Sequence, residues 1–109
     1  MTSRDLVDKY TYRVEWSEED NTHVAHCLEF PSLMAHGATA GVALNEIENV
    51  VQESIKWMEE DNEVIPEPLG LKHFNGNLTL RIPRAVHREL AIRSAEEGVS
   101  MNKYILARI

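Results

Sequence analysis

Apolar residues recur along the chain with two different periods, and the change of period predicts the order of the elements. From Tyr10 to Trp16 every second residue is apolar, which predicts a strand with one buried face. The polar turn SEEDNT follows, and His23 to Glu29 predicts a second strand that pairs with the first as an antiparallel hairpin. Phe30-Pro31-Ser32 predicts a break, and Leu33 to His36 a short third strand. Residues 1–9 form a polar lead-in with no predicted element.

The period then changes to that of a helix, from about Thr39 to Asp61. Apolar residues at spacings of three and four predict a broad inward stripe: Ala43, Leu44, Ile47, Val50, Val51, Ile55, Trp57 and Met58. Trp57 and Met58 extend this stripe, so core is favoured over an exposed anchor for a partner. Three antiparallel strands packed on one long helix make an α+β domain over residues 1–68, and residues 69–76 have the composition of a linker.

Residues 77–109 predict a second unit, made of a strand and two helices. Along the strand Leu78, Leu80 and Ile82 share one face, while Asn77, Thr79 and Arg81 share the other. Pro83 ends the strand and starts a helix that runs to Gly98, and Ser100 caps a second helix. The inward residues of the two helices include Val86, Leu90, Met101 and Ile105.

Such a short unit cannot close a core alone, because domains below about 40 residues usually need a metal, disulfides or oligomerisation. The single cysteine excludes an internal disulfide, so the sequence predicts a dimer whose two strands pair antiparallel. The predicted dimer core contains Leu78, Leu80, Ile82, Val86, Leu90, Met101 and Ile105. The alternative is a lone strand and helical hairpin docked on the N-terminal domain.

The outer face of such a two-stranded ribbon fits the DNA major groove, where Asn77, Thr79 and Arg81 are predicted to read base edges. The start of the second helix suits a phosphate, and the predicted phosphate contacts are Arg84, Ser100, Met101, Asn102 and Lys103. The strand L-T-L-R-I-P and the junction G-V-S-M-N, Gly98 to Asn102, resemble the ribbon-helix-helix family of the Arc and MetJ repressors.

Charge divides the chain in the same place. The net charge of −7 argues against nucleic-acid binding, but residues 1–70 contain four basic and fifteen acidic residues, and residues 71–109 seven basic and three acidic. An acidic domain therefore carries a basic one, which suits two different partners. With no long apolar run, no signal-peptide pattern and one cysteine, we expect a soluble cytoplasmic protein without membrane contact.

The N-terminal domain resembles the HicB antitoxin family of HicA-HicB toxin-antitoxin pairs, over roughly residues 8–68. The resemblance rests on the hairpin, the segment FPSLMAHGAT from Phe30 to Thr39, the long helix, and I-P-E-P from Ile65 to Pro68. Two departures stand out. The family's usual Pro-Gly is Pro31-Ser32 here, and Val42 stands where a Glu would complete a capping box with Thr39. The resemblance implies a partial ribonuclease H-like fold and a small mRNA-cleaving HicA toxin as partner.

Residues with catalytic or metal-binding chemistry are few and scattered. Two-ion nuclease chemistry needs several converging carboxylates, and Glu15 and Glu29 are the only ones in predicted strands after Asp8. His23 and His26 lie an odd number apart and so face opposite ways, which argues against a zinc site with His36 and Cys27. Cys27 is expected in the core. We expect no enzyme activity, no metal and no cofactor.

These expectations combine into an antitoxin that binds a HicA-like toxin and represses its own operon as a homodimer, or higher oligomer, on operator DNA. The alternative is a stand-alone ribbon-helix-helix repressor whose acidic domain senses a ligand or holds dimers together. A neighbouring gene for a short basic protein would distinguish the two.

Overall fold

The computed structural model describes residues 3–109, leaving Met1 and Thr2 outside the described residues. It contains two compact units, Met1–His73, which we call the body, and Phe74–Ile109, which we call the tail. The helices and strands of the body are α1 Ser3–Lys9, β1 Tyr12–Ser17, β2 Thr22–Cys27, β3 Phe30–Gly37, α2 Ala40–Glu60 and a short 3-10 helix, Leu69–Leu71. Those of the tail are α3 Arg84–Glu97 and α4 Met101–Leu106. No helix within residues 3–109 is long and apolar enough to cross a membrane.

The sheet of the body is antiparallel, in the order β1-β2-β3. Trp16 pairs with His23 across the hairpin, and His26 pairs with Met34 on the other side of β2. The predicted break at Phe30 to Ser32 was wrong, because β3 already begins at Phe30. An edge strand tolerates Pro31, whose missing N–H disturbs no central ladder. The irregularity appears instead as a register shift between His26 and Cys27.

Helix α2 covers one face of the sheet, as its apolar stripe predicts. Ala43, Ile47, Val51 and Ile55 are fully buried in the core that the sheet and α1 share with it. Thr39 caps the helix by accepting a 3.1 Å hydrogen bond from the Val42 N–H, which is the half of the capping box that the sequence retains. Gly37 allows the close approach of β3 to this cap, because a Cβ there would collide with the backbone of Ala43.

Trp57 is not in the core, contrary to the prediction. Its side chain is 69% exposed, whereas Met58 is partly buried against the core. A helix of 3.6 residues per turn rotates Trp57 about 120° away from Val51, beyond the edge of the buried stripe. The prediction extended an apolar stripe by one residue too many.

The N-terminal segment was also predicted wrongly, since the polar lead-in contains helix α1. Val7 on this helix is fully buried, and Leu6 packs partly against the same core. Tyr10 follows the helix and packs edge-on against Phe30, with ring centroids 5.3 Å apart. A single helical turn of apolar residues in SRDLVDK is too short to show a period.

In the tail, α3 ends at Gly98, whose φ of 69° is the left-handed conformation that glycine adopts without strain. Ser100 then caps α4. The predicted strand Asn77 to Ile82 is not formed in the single chain, where residues 77–83 have no regular secondary structure. A strand needs a neighbour for its backbone hydrogen bonds, and this segment has none among residues 3–109.

Candidate partner and nucleic-acid binding surfaces

The segment before α3 leaves a large apolar surface uncovered. Leu78 is 82%, Leu80 56% and Ile82 37% exposed. Leu78 and Leu80 line a groove together with Ile105 and Leu106 of α4. Contiguous exposed apolar surface of this kind marks an interaction site, and here it lies where the sequence predicts a dimer core.

The seven residues of the predicted dimer core are only partly covered within one chain. Leu90 and Ile105 are half-buried, while Leu78, Leu80, Ile82, Val86 and Met101 are exposed. The contact that does hold the two helices together centres on Tyr104, which is buried. The guanidinium of Arg108 stacks 3.5 Å from the centre of its ring and donates a 2.7 Å hydrogen bond to Glu97.

Neither Tyr104 nor Arg108 was among the predicted core residues of the tail. The available signal was the pairing of an aromatic residue with an arginine four positions later, which places them on the same side of a helix. Ser94 of α3 is also buried, with its hydroxyl donating to the carbonyl of Ala91.

The predicted base-reading residues Asn77, Thr79 and Arg81 are all exposed along one short segment. Upstream of them, the Asn77 N–H donates to the side-chain oxygen of Asn75 at 2.8 Å, across Gly76. This turn sets the point at which the segment begins. Their role on DNA stays a prediction.

The start of α4 was predicted to contact phosphate through its free N–H groups. The Ser100 hydroxyl already accepts the N–H of Lys103 at 3.1 Å, and the N–H of Tyr104 donates to the Ser100 carbonyl. Within the described chain this leaves the N–H groups of Met101 and Asn102 as the donors at this helix start, with Lys103 contributing its side-chain charge.

In the body, Glu29 has a structural task. It was predicted inside a strand but follows the end of β2, where its carboxylate accepts the N–H groups of Thr11 and Leu69, each at 2.9 Å. Burial by itself would raise the pKa of Glu29, but these hydrogen bonds outweigh it and lower the pKa. The ionised carboxylate therefore ties the segment after α2 to the start of β1. Tyr10 adds a 2.8 Å hydrogen bond from its hydroxyl to the carbonyl of Pro66.

The histidines of the sheet and Cys27 have different neighbours. His23 packs edge-on against Trp16, His26 lies 3.9 Å from the Glu15 carboxylate, and His36 lies 3.9 Å from that of Asp20. Cys27 is buried as predicted, and burial is the main reason that its pKa is raised to about 11. Among the side chains that the structure describes, no three His, Cys, Asp or Glu residues are grouped so as to hold a metal ion.

Two features thus dominate the molecular surface: an acidic body and a tail with an unpartnered apolar face. Residues 60–109 match the model of the HicB family. The match covers somewhat less than half of the chain. It supports HicB-type membership and a role related to toxin-antitoxin pairs. No curated protein and no solved structure gives a significant match.

The HicB match covers a different part of the chain from the motifs that first suggested this family. Those motifs lie mainly between residues 8 and 68, whereas the match begins at the last residue of α2 and includes Ile65 to Pro68 and the whole tail. Pro68 is fully buried, and Leu69 beside it is bound by Glu29. The HicB match therefore includes the segment that Glu29 and Tyr10 attach to the body.

Proposed function

We propose that the chain is the antitoxin of a HicA-HicB type pair. The body binds a small, basic, mRNA-cleaving toxin of the HicA type and covers the surface that the toxin needs for RNA. The tail of one chain pairs with the tail of a second chain as a ribbon-helix-helix dimer and represses the operon by binding its operator DNA.

The observation that carries this proposal is the exposed apolar face of Leu78, Leu80 and Ile82 in a tail that matches the HicB family. If two copies place these segments side by side in antiparallel fashion, their N–H and C=O groups pair and the apolar faces meet. The alternating polar residues Asn77, Thr79 and Arg81 then form the outer face of a ribbon suited to the major groove.

Neutralisation in this proposal depends on contact alone, and the chain acts as a binding protein, not as an enzyme. The body contains most of the acidic residues of the chain, while a protein that binds RNA carries basic surface. Opposite charges accelerate the encounter and disfavour wrong partners. The tail has more basic than acidic residues, so its positive charge attracts DNA and not a basic toxin.

The decisive experiment expresses the small basic protein that the proposal expects a neighbouring gene to encode, with and without the full chain, in a bacterial host that carries an operator-reporter fusion. We expect the toxin alone to stop growth, and the chain to restore growth and to lower reporter output. Repression without rescue would contradict the antitoxin role and would favour the stand-alone repressor. Rescue without repression would contradict the role of the tail.

A further inference from the structure

The outward face of α2 carries an aromatic side chain that the fold of the body does not use. Trp57 is 69% exposed, and residues at spacings of three, four and seven place Glu46, Glu53 and Glu60 on the same side of the helix. We call Glu46, Glu53, Trp57 and Glu60 the Trp57 stripe. It runs about 21 Å along the helix.

The carboxylates of the Trp57 stripe are available to a partner. All three are exposed, and the ion pairs formed within residues 4–109 use other carboxylates, among them Glu48 with Arg4. Neighbouring Lys56 also has no ion pair with them among the described side chains. The stripe therefore combines an uncovered indole with three negative charges that nothing in the described body neutralises.

We propose that the Trp57 stripe is the surface on which the body docks a basic protein partner, and that a lysine or arginine side chain of this partner lies on the indole of Trp57. A cation within about 6 Å of an indole face is attracted to it, and carboxylates on either side strengthen its binding. Tryptophan at the centre of an interface contributes more to affinity than most other residues.

The inference rests on the proposed function, because the partner with this chemistry is the RNA-cleaving toxin. A second body is a poor occupant, since both bodies carry an excess of acidic residues and repel each other. An apolar partner is also disfavoured, because it would bury the three carboxylates without a counter-charge.

The test makes Trp57 the only tryptophan by using the Trp16→Phe variant of the full chain. The probe is the small basic protein that the proposed function expects a neighbouring gene to encode, substituted so that it no longer cleaves RNA and can be purified. Any tryptophan of the probe is first removed by site-directed substitution. The fluorescence emission of Trp57 is then recorded with and without the probe. We expect Trp57 to be quenched freely by acrylamide in the free chain, and to be protected and blue-shifted when the probe binds.

Substitutions then measure the contribution of each part of the stripe by calorimetric titration with the same probe. Trp57→Ala is expected to raise Kd about 30-fold, the loss typical of a central aromatic anchor. Glu53→Lys is expected to raise it about 10-fold, with a larger effect at low salt. The matched control is Glu59→Lys, which makes the same change of charge on another face of α2. It should alter Kd by less than about threefold.

The outcomes separate the surface from the function. If the unmodified chain binds the probe but Trp57→Ala and Glu53→Lys bind it equally well, the Trp57 stripe is not the docking surface and the antitoxin role stands. If the unmodified chain does not bind the probe, both the antitoxin role and this inference fail. Trp57 emission that is already protected in the free chain, and becomes exposed on dilution, would mean that a second copy covers the stripe and would overturn the inference.

Discussion

The body and the tail bury their apolar side chains by different means. In the body, α2 contributes Ile47, Val51 and Ile55 to a core closed by the sheet and by α1 of the same chain. In the tail, α3 and α4 meet at Tyr104, and the leucines of the preceding segment remain outside. The comparison teaches that a regular apolar alternation predicts a buried face without telling whether the same chain covers it.

The largest effect is expected at the apolar face of the tail. Leu80→Asp places a charge where the two tails are proposed to meet, and it should raise the dimer dissociation constant at least 100-fold, since a buried unpaired carboxylate costs about 3 kcal/mol or more. Light scattering coupled to size exclusion measures this change. Thr79→Asp is the matched control, because Thr79 alternates to the other face and should leave the dimer intact. Dimers of equal stability in both variants would contradict the pairing.

The core of the body should respond next. Ile47 is fully buried, and Ile47→Ala should lower the free energy of unfolding by about 2 to 5 kcal/mol, through lost burial and the cavity that remains. Urea denaturation followed by circular dichroism measures the change. The control is Val64→Ala, since Val64 is almost fully exposed and should change stability by less than about 0.5 kcal/mol. The operator affinity of the Ile47→Ala variant should equal that of the unmodified chain if the body and the tail fold separately.

A smaller effect is expected from the base-reading face. Arg81→Ala should weaken operator binding by about 1 to 3 kcal/mol, because a bidentate contact to guanine is lost. It should leave toxin binding unchanged, and gel-shift titration with operator DNA measures the loss. Arg93→Ala is the control, since the Arg93 guanidinium already donates a 2.8 Å hydrogen bond to Glu89, one turn earlier in α3. Unchanged operator affinity of Arg81→Ala would remove this residue from the reading set.

The smallest effect is expected from Glu29. Its pKa in the fold lies below its ordinary value of 4.5, so the ionised form is favoured by folding. Its contribution to stability is therefore complete above the pKa of the unfolded chain, and is lost as pH falls through the lowered pKa of the folded state. Glu29→Gln should cost about 1 kcal/mol at neutral pH and should reduce the loss of stability below pH 4.5. Glu19→Gln, in the exposed turn, is the control.

Most of the body could be predicted from the sequence because its periods are long. The stripe of Ile47, Val51 and Ile55 extends over several turns, and the alternation before Trp16 indicates the first strand. Helix α1 escaped because Leu6 and Val7 alone make no period, and its burial depends on Tyr10 and Phe30 from elsewhere in the body. The burial of Trp57 was predicted wrongly because an apolar residue at the edge of a stripe is compatible with both the buried and the exposed face of the helix.

The candidate sites were predictable only where the chemistry is local. Asn77, Thr79 and Arg81 follow from alternation along one segment. The role of Glu29 does not, because its partners Thr11 and Leu69 are distant in sequence and donate through backbone N–H groups, which every residue type provides. The stacking of Arg108 on Tyr104 is local, but the hydrogen bond from Arg108 to Glu97 required knowing how α4 lies on α3.

The burial of Cys27 allows its chemical labelling to report local opening of the body. It is the one thiol in the chain, it is almost completely buried, and its raised pKa of about 11 keeps it protonated at neutral pH. An alkylating reagent therefore reaches this thiol only when the core opens. The tail has no thiol and contributes no background signal. The rate of covalent labelling therefore reports the rate at which the body opens. Comparing this rate with and without a bound partner shows how much the partner suppresses opening.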